Sequence, residues 1–176
     1  MKKTITIFGS AQPKEGEEEF ETAYKLGALL AKNYFNVCTG GFQGTMNAVS
    51  KGAVENGAEA IGVTVDLWNA SPSKYLTKQI KCGSLFERIS QLVELGDAYI
   101  ILQGGTGTLL ELSVVWELMN KKMLKVKPVA CHSSMWKGIV DIMDRQLKHE
   151  NRPTKYIESF DNIEEIVNYI KKKISE

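Results

Sequence analysis

The chain has 176 residues, 43% of them hydrophobic and 24% charged, with 22 Lys+Arg against 21 Asp+Glu. That length fits one domain, which buries about two-thirds of its unfolded surface and needs no disulfide or metal staple. The near-zero net charge gives no electrostatic drive toward nucleic acid or an anionic membrane. No apolar run reaches the roughly 18 residues of a membrane span, and the first residues lack the apolar core and cleavage site of a secretion signal.

Thr4 to Phe8 is β-branched and aromatic and ends at Gly9-Ser10, which predicts a first strand. Glu17 to Asn33 carries apolar residues at helical spacing. Phe35 to Cys38 is a short apolar strand that breaks at Gly40-Gly41, Thr45 to Asn56 a helix of small residues, and Ala60 to Val65 a third strand. Residues 66–83, with Pro72 and scattered serines and lysines, carry no clear period and read as a mobile excursion. The pattern then restarts. Leu85 to Leu95 is a helix, Ala98 to Leu102 a strand apolar on both faces, and Thr108 to Asn120 a helix. Pro128 to Cys131 is a fifth strand, followed by amphipathic helices over Met135 to Leu147 and Asp161 to Lys173. Asp161 followed by Glu164 resembles a capping box. The alternation predicts an α/β fold over residues 1–176, a single nucleotide-binding domain with a three-layer, Rossmann-like, doubly wound parallel sheet.

Cys38, Cys82 and Cys131 are odd in number and show neither a CxxC nor a Cys/His metal spacing. They read as reduced, buried thiols of a cytoplasmic protein, and no metal is expected. Trp68, Trp116 and Trp136 read as core or interface aromatics, and His132-Ser133-Ser134 lacks the GxSxG elbow of a serine hydrolase.

In a sheet wound this way, ligands sit beyond the carboxyl ends of the strands where the winding reverses. The glycine-rich loops fall there: Gly9-Ser10, Gly40-Gly41-Phe42-Gln43-Gly44-Thr45, and Gly104-Gly105-Thr106-Gly107-Thr108. The last is the sharpest candidate. Glycines let a ligand approach the backbone, unsatisfied N–H groups of the next helix point outward, and the helix dipole favours a phosphate. Thr106 and Thr108 add hydroxyls. No GK[ST] or GxGxxG follows, so the loop is neither a Walker loop nor the dinucleotide fingerprint. Glu111, three residues after Thr108, is placed on the first helical turn, either beside the ligand or as a complement to the dipole. Arg88 is either a ligand anchor or a solvated arginine paired to a nearby acid.

These loops resemble those of the "lonely guy" family, cytokinin riboside 5′-monophosphate phosphoribohydrolases formerly labelled lysine decarboxylases. The family pattern PGGxGTxxE reads here as Gln103-Gly104-Gly105-Thr106-Gly107-Thr108-Leu109-Leu110-Glu111, and GGGxxGLMG is similar to Gly40 through Asn47. The upstream Met-His-x-Arg-Lys segment reads Leu85-Phe86-Glu87-Arg88-Ile89. The resemblance implies that Arg88 and Glu111 are the catalytic pair, that Gly104, Gly105, Gly107 and Thr108 hold a 5′-phosphate, and that no cofactor is used. Pyridoxal-dependent decarboxylation is not expected, because no lysine sits in the candidate loops. Gln103 replaces the proline, Leu110 a frequent second glutamate, and Leu85, Phe86 and Ile89 polar residues. Molybdenum-cofactor carrier proteins share the fold and a similar GGxGT loop, so two readings stand: a nucleoside-monophosphate hydrolase, or a non-catalytic carrier of a nucleotide or pterin cofactor. The helix from Thr108 is apolar nearly all round, and the Arg88 helix is similarly rich. Both point to a homodimer whose second copy helps enclose the pocket, as in the resembling family.

Overall fold

The computed structural model describes residues 2–66 and 70–176; Trp68, expected in a core or interface, lies outside the described residues. Among the described residues seven strands form one sheet in the order β4-β3-β2-β1-β5-β6-β7, every neighbouring pair parallel. They are β1 (Thr4–Phe8), β2 (Asn36–Thr39), β3 (Ala60–Val65), β4 (Lys78–Cys82), β5 (Ala98–Ile101), β6 (Val129–His132) and β7 (Ile157–Phe160). Among the described residues five helices connect strands, α1 (Glu18–Lys32), α2 (Thr45–Glu55), α3 (Leu85–Leu95), α4 (Thr106–Asn120) and α5 (Ser134–His149), and α6 (Ile163–Ser175) follows β7.

The inner strands are apolar without alternation because helices cover both faces of the sheet. Ile5, Ile7 and Ile100 pack with α1, α2 and α6 through Leu26, Val49 and Ile166. Phe8, Tyr99 and Ile101 pack on the opposite side with α3, α4 and α5 through Leu92, Leu112 and Trp136. The chain winds outward from β1 to β4, returns along α3, and winds the other way from β5 to β7. The reversal therefore falls between β1 and β5, as the sequence predicts.

Three expectations are corrected. Residues 78–82, read as part of a mobile excursion, form β4, which pairs with β3 from Ile61↔Lys78 to Val65↔Cys82. Its sequence, Lys-Gln-Ile-Lys-Cys, is polar because it is an edge strand exposed over most of its length, and charged edges resist pairing with other chains. β7, four residues long at the opposite edge, was not foreseen. The cap of α6 is Asn162, whose side chain accepts from the Glu165 N–H, and not Asp161 with Glu164. Among the described residues no helix is long and apolar enough to cross a membrane.

Candidate active site

The carboxyl ends of β1, β2 and β5 open onto a cavity of about 440 Å³. Gly9 and Ser10 line it from the loop after β1, Gly40 from the loop after β2, and Gly105, Thr106, Gly107 and Thr108 from the loop after β5 and the start of α4. Arg88 and Glu111 line the same space and are its only charged walls among the described residues. The remaining predicted residues, Gly41, Gly44, Thr45 and Gly104, are not in its lining.

Those four hold the loops together. Gly44 adopts φ +67°, and a Cβ there would fall on the backbone of Ser10 and Ala11, so only glycine lets these two loops meet. Thr45 is buried, and both its N–H and its hydroxyl donate to the Ser10 carbonyl, at 2.9 and 3.0 Å. At Gly104 a Cβ would collide with the Thr108 hydroxyl, and at Gly41 with Thr64 and Gly62. Gly105 and Gly107, by contrast, have nothing within 4 Å of a Cβ position and face open space.

Helix α4 starts at Thr106, two residues before the predicted start, so Glu111 stands on its second turn and not its first. Gly105 is the N-cap and offers no side chain, and the first intrahelical bond runs from the Leu109 N–H to the Gly105 carbonyl. The preceding N–H groups of the first turn have no helical carbonyl to donate to. They carry the positive end of the helix dipole, which suits an anion.

Arg88 reaches the floor of the cavity from α3. The start of that helix is set by Ser84, whose hydroxyl accepts from the Glu87 N–H, while the Glu87 carboxylate accepts from the Gly83 N–H. Arg88 is buried, with 5% exposure, so it is not a solvated surface arginine. Its Nε donates to the Val63 carbonyl at 2.8 Å, its Nη1 to Glu111 Oε1 at 3.4 Å, and its guanidinium carbon lies 5.8 Å from the Phe42 ring centre. Gly40 makes this path possible: a Cβ there would fall on Arg88 Nη2 and 2.7 Å from Met46 Sδ.

Burial dominates the electrostatics of the pair. Loss of water pushes the Glu111 carboxyl up to about 7, against the pull of the neighbouring guanidinium. Burial likewise lowers Arg88, opposed by Glu111. The 3.4 Å contact is longer than a tight charge-assisted hydrogen bond, so the pair only partly offsets its own desolvation. A carboxyl poised near neutrality inside a cavity fits a proton-transfer group. The cysteines do not fit a nucleophile: all three are buried and unpaired, and burial pushes the Cys38 and Cys131 thiols up to about 12.

Sequence reasoning passed over Phe42, Met46 and Ala70, which add apolar wall to the cavity. Phe42 sits inside a loop whose glycines drew attention away from it. The remote His132 closes no catalytic array with Ser133; its Nε2 contacts the Asp161 carbonyl at 3.2 Å.

The pattern describing the SLOG cluster4 family matches residues 2–166. A cytokinin riboside 5′-monophosphate phosphoribohydrolase of Rhodococcoides fascians is 30% identical over 110 residues, covering 60% of this chain and 56% of that protein. A protein of the same name from Mycobacterium tuberculosis is 29% identical over 116 residues, covering 64% of this chain and 62% of its own length. The chain thus spans less than two thirds of the length of these relatives. The fold is similar to that of the molybdenum cofactor carrier protein of Chlamydomonas reinhardtii, with a TM-score of 0.80, 19% identity and full coverage of both chains. With its match running over nearly all of its length, the chain belongs to the SLOG cluster4 family, in line with its resemblance to the lonely guy proteins.

Proposed function

We propose that this protein hydrolyses the N-glycosidic bond of a nucleoside 5′-monophosphate, releasing the free base and ribose 5-phosphate. The observation that carries the reading is the buried Arg88–Glu111 pair on the floor of a cavity walled by a helix N-terminus and glycine loops. The phosphate sits on the N–H groups of Gly105, Thr106, Gly107 and Thr108, with the threonine hydroxyls as further donors. Gly9 and Ser10 border the ribose. Gly40 gives Arg88 its place, and Gly41, Gly44, Thr45 and Gly104 keep the loops in register. The relatives named phosphoribohydrolases support the same reaction class.

Breaking the bond between C1′ and the base nitrogen leaves positive charge on the ribosyl ring, as in sugar hydrolysis. The Glu111 carboxylate stabilises that charge and takes a proton from the water whose oxygen bonds to C1′. The bonding pair of the broken bond leaves with the base, which takes up the proton that Glu111 accepted from water, so the carboxylate is restored. Arg88 holds phosphate or ribose oxygens and keeps Glu111 oriented. No cofactor takes part. The protein works in the cytoplasm, where its thiols stay reduced, and as a homodimer whose second copy helps close the cavity.

A second reading, a carrier that binds a phosphorylated nucleotide or pterin ligand without hydrolysis, is supported by the likeness in fold to the molybdenum cofactor carrier protein of Chlamydomonas reinhardtii. Incubation with a panel of nucleoside monophosphates separates the two. Free base released by the unmodified protein, and lost in Glu111→Gln, supports the hydrolase; tight binding without release supports the carrier.

A further inference from the structure

We infer that Ser10 determines sugar specificity in this cavity: its hydroxyl donates to the ribose hydroxyls and selects ribonucleotides over nucleotides whose sugar lacks them. The inference rests on the nucleotide reading above and names what that reading leaves open at the sugar.

Sheet order sets Ser10 beside the sugar. The anion-binding end of the cavity follows β5, at the start of α4. β1 is the neighbour of β5, so the loop after β1 stands about one strand spacing away, roughly 4.8 Å. The ribose ring follows the 5′-phosphate through only O5′ and C5′, so on the nucleotide reading it falls against this loop. Gly9, Ser10, Ala11 and Gln12 line the cavity from there, and of the four Ser10 alone carries a hydroxyl.

The bonds around Ser10 leave one group unused. Its N–H donates to the Gln103 carbonyl at 3.1 Å, and its carbonyl accepts from the Thr45 N–H and hydroxyl. Its Oγ accepts from the Gln12 N–H at 3.1 Å. A serine hydroxyl can accept and donate at once, yet among the described residues the Ser10 hydroxyl proton has no acceptor. The residue is also held from two sides, by the close approach of Gly44 to its carbonyl and of Gly104 to its nitrogen. With its backbone fixed and its Oγ tied to Gln12, the donor loses little freedom when a ligand binds. Ser10 is half-buried in the cavity wall, within reach of a bound molecule. The N–H groups of α4 already meet the phosphate, which leaves a sugar hydroxyl oxygen as the acceptor for Ser10. A ligand without that oxygen leaves the donor unpaired inside the cavity, and a site built for a hydroxyl penalises such a ligand.

The test is calorimetric titration with adenosine 5′-monophosphate and with 2′,3′-dideoxyadenosine 5′-monophosphate, in a Glu111→Gln background so that turnover is suppressed. With Ser10 in place the ribonucleotide binds about tenfold more tightly than the dideoxynucleotide. Adding Ser10→Ala weakens the ribonucleotide about tenfold and moves the dideoxynucleotide by less than about twofold, so the preference disappears. Ser10→Cys, close in size and a weaker donor, gives a preference between the two. Equal weakening of both ligands overturns the inference and leaves Ser10 acting only as a support for the loop. Equal affinity of the two ligands before Ser10 is changed, a preference that survives Ser10→Ala, or no nucleotide binding at all also overturns it. Absence of free base from the unmodified protein, with the Ser10-dependent preference intact, refutes the hydrolase and leaves the role of Ser10 standing.

Discussion

At the residue scale, Glu111 and Arg88 form a unit whose properties come from burial. Glu111→Gln keeps the shape and removes the charge, so release of base falls by orders of magnitude while binding of the nucleotide persists. The pH dependence has a definite sign. Glu111 must be ionised to take a proton from water, and its carboxyl is pushed up to about 7, so kcat/KM rises through pH 7 from the acid side. A profile flat between pH 5 and 8 removes Glu111 as the base. The same shift acts on stability. The folded pKa of about 7 lies above the ordinary 4.5, so folding favours the neutral carboxyl. Its contribution is complete below pH 4.5 and is lost as the pH rises through 7. Unfolding in denaturant should show Glu111→Gln gaining on the unmodified protein by about 3 kcal/mol between pH 4.5 and 8. Gly40→Ala is a third residue-scale test, because its methyl group claims the space of Arg88 Nη2. It should cut turnover by more than tenfold and cost about 1–3 kcal/mol of stability as an overpacked site. Full activity in Gly40→Ala places Arg88 outside the mechanism.

At the scale of elements, the start of α4 decides what the cavity prefers. The first-turn N–H groups are uncapped by any side chain, and no lysine lines the space among the described residues, so on the proposed reading backbone N–H groups and the helix dipole supply most of the phosphate's hold. Adenosine 5′-monophosphate should therefore bind at least tenfold more tightly than adenosine by calorimetry, a difference of about 1.4 kcal/mol. Equal affinity removes the phosphate from this helix. The start of α4 was also the boundary that sequence misjudged. Glycine and threonine at 105–108 look like loop residues, yet Thr106 and Gly107 are helical, with Thr108 packed closely against Gly104. That two-residue extension moves Glu111 to the second turn, where it is buried and within reach of Arg88.

At the scale of the whole molecule, α4 leaves apolar surface that its own sheet does not cover. Leu112, Val115 and Met119 are buried, but Leu109 and Leu110 are 37% and 36% exposed, and Phe86 on α3 is 76% exposed. A self-complementary contact through these helices is the expected use of such a face. Light scattering at micromolar concentration should give twice the 19.6 kDa of one chain, and Leu110→Glu should return the mass to that of the monomer. A mass of 19.6 kDa for the unmodified protein refutes the dimer.

The alternation of apolar strands with amphipathic helices was enough to determine the parallel three-layer fold and its switch point, because buried central strands admit little but apolar residues. The loops of the site were legible for a similar reason: close approach of two backbones, as between Gly44 and Ser10, admits only glycine. The edge strands β4 and β7 were not, since an edge is half solvated and carries no apolar period. Nor could the chain alone separate glycines that face the cavity from glycines that pack its walls, or tell a buried Arg88 from a surface one. Those distinctions depend on what lies opposite each residue. Arg88 is 23 residues from Glu111 and 25 from the Val63 carbonyl that orients it, and only folding brings them together and excludes water from around them.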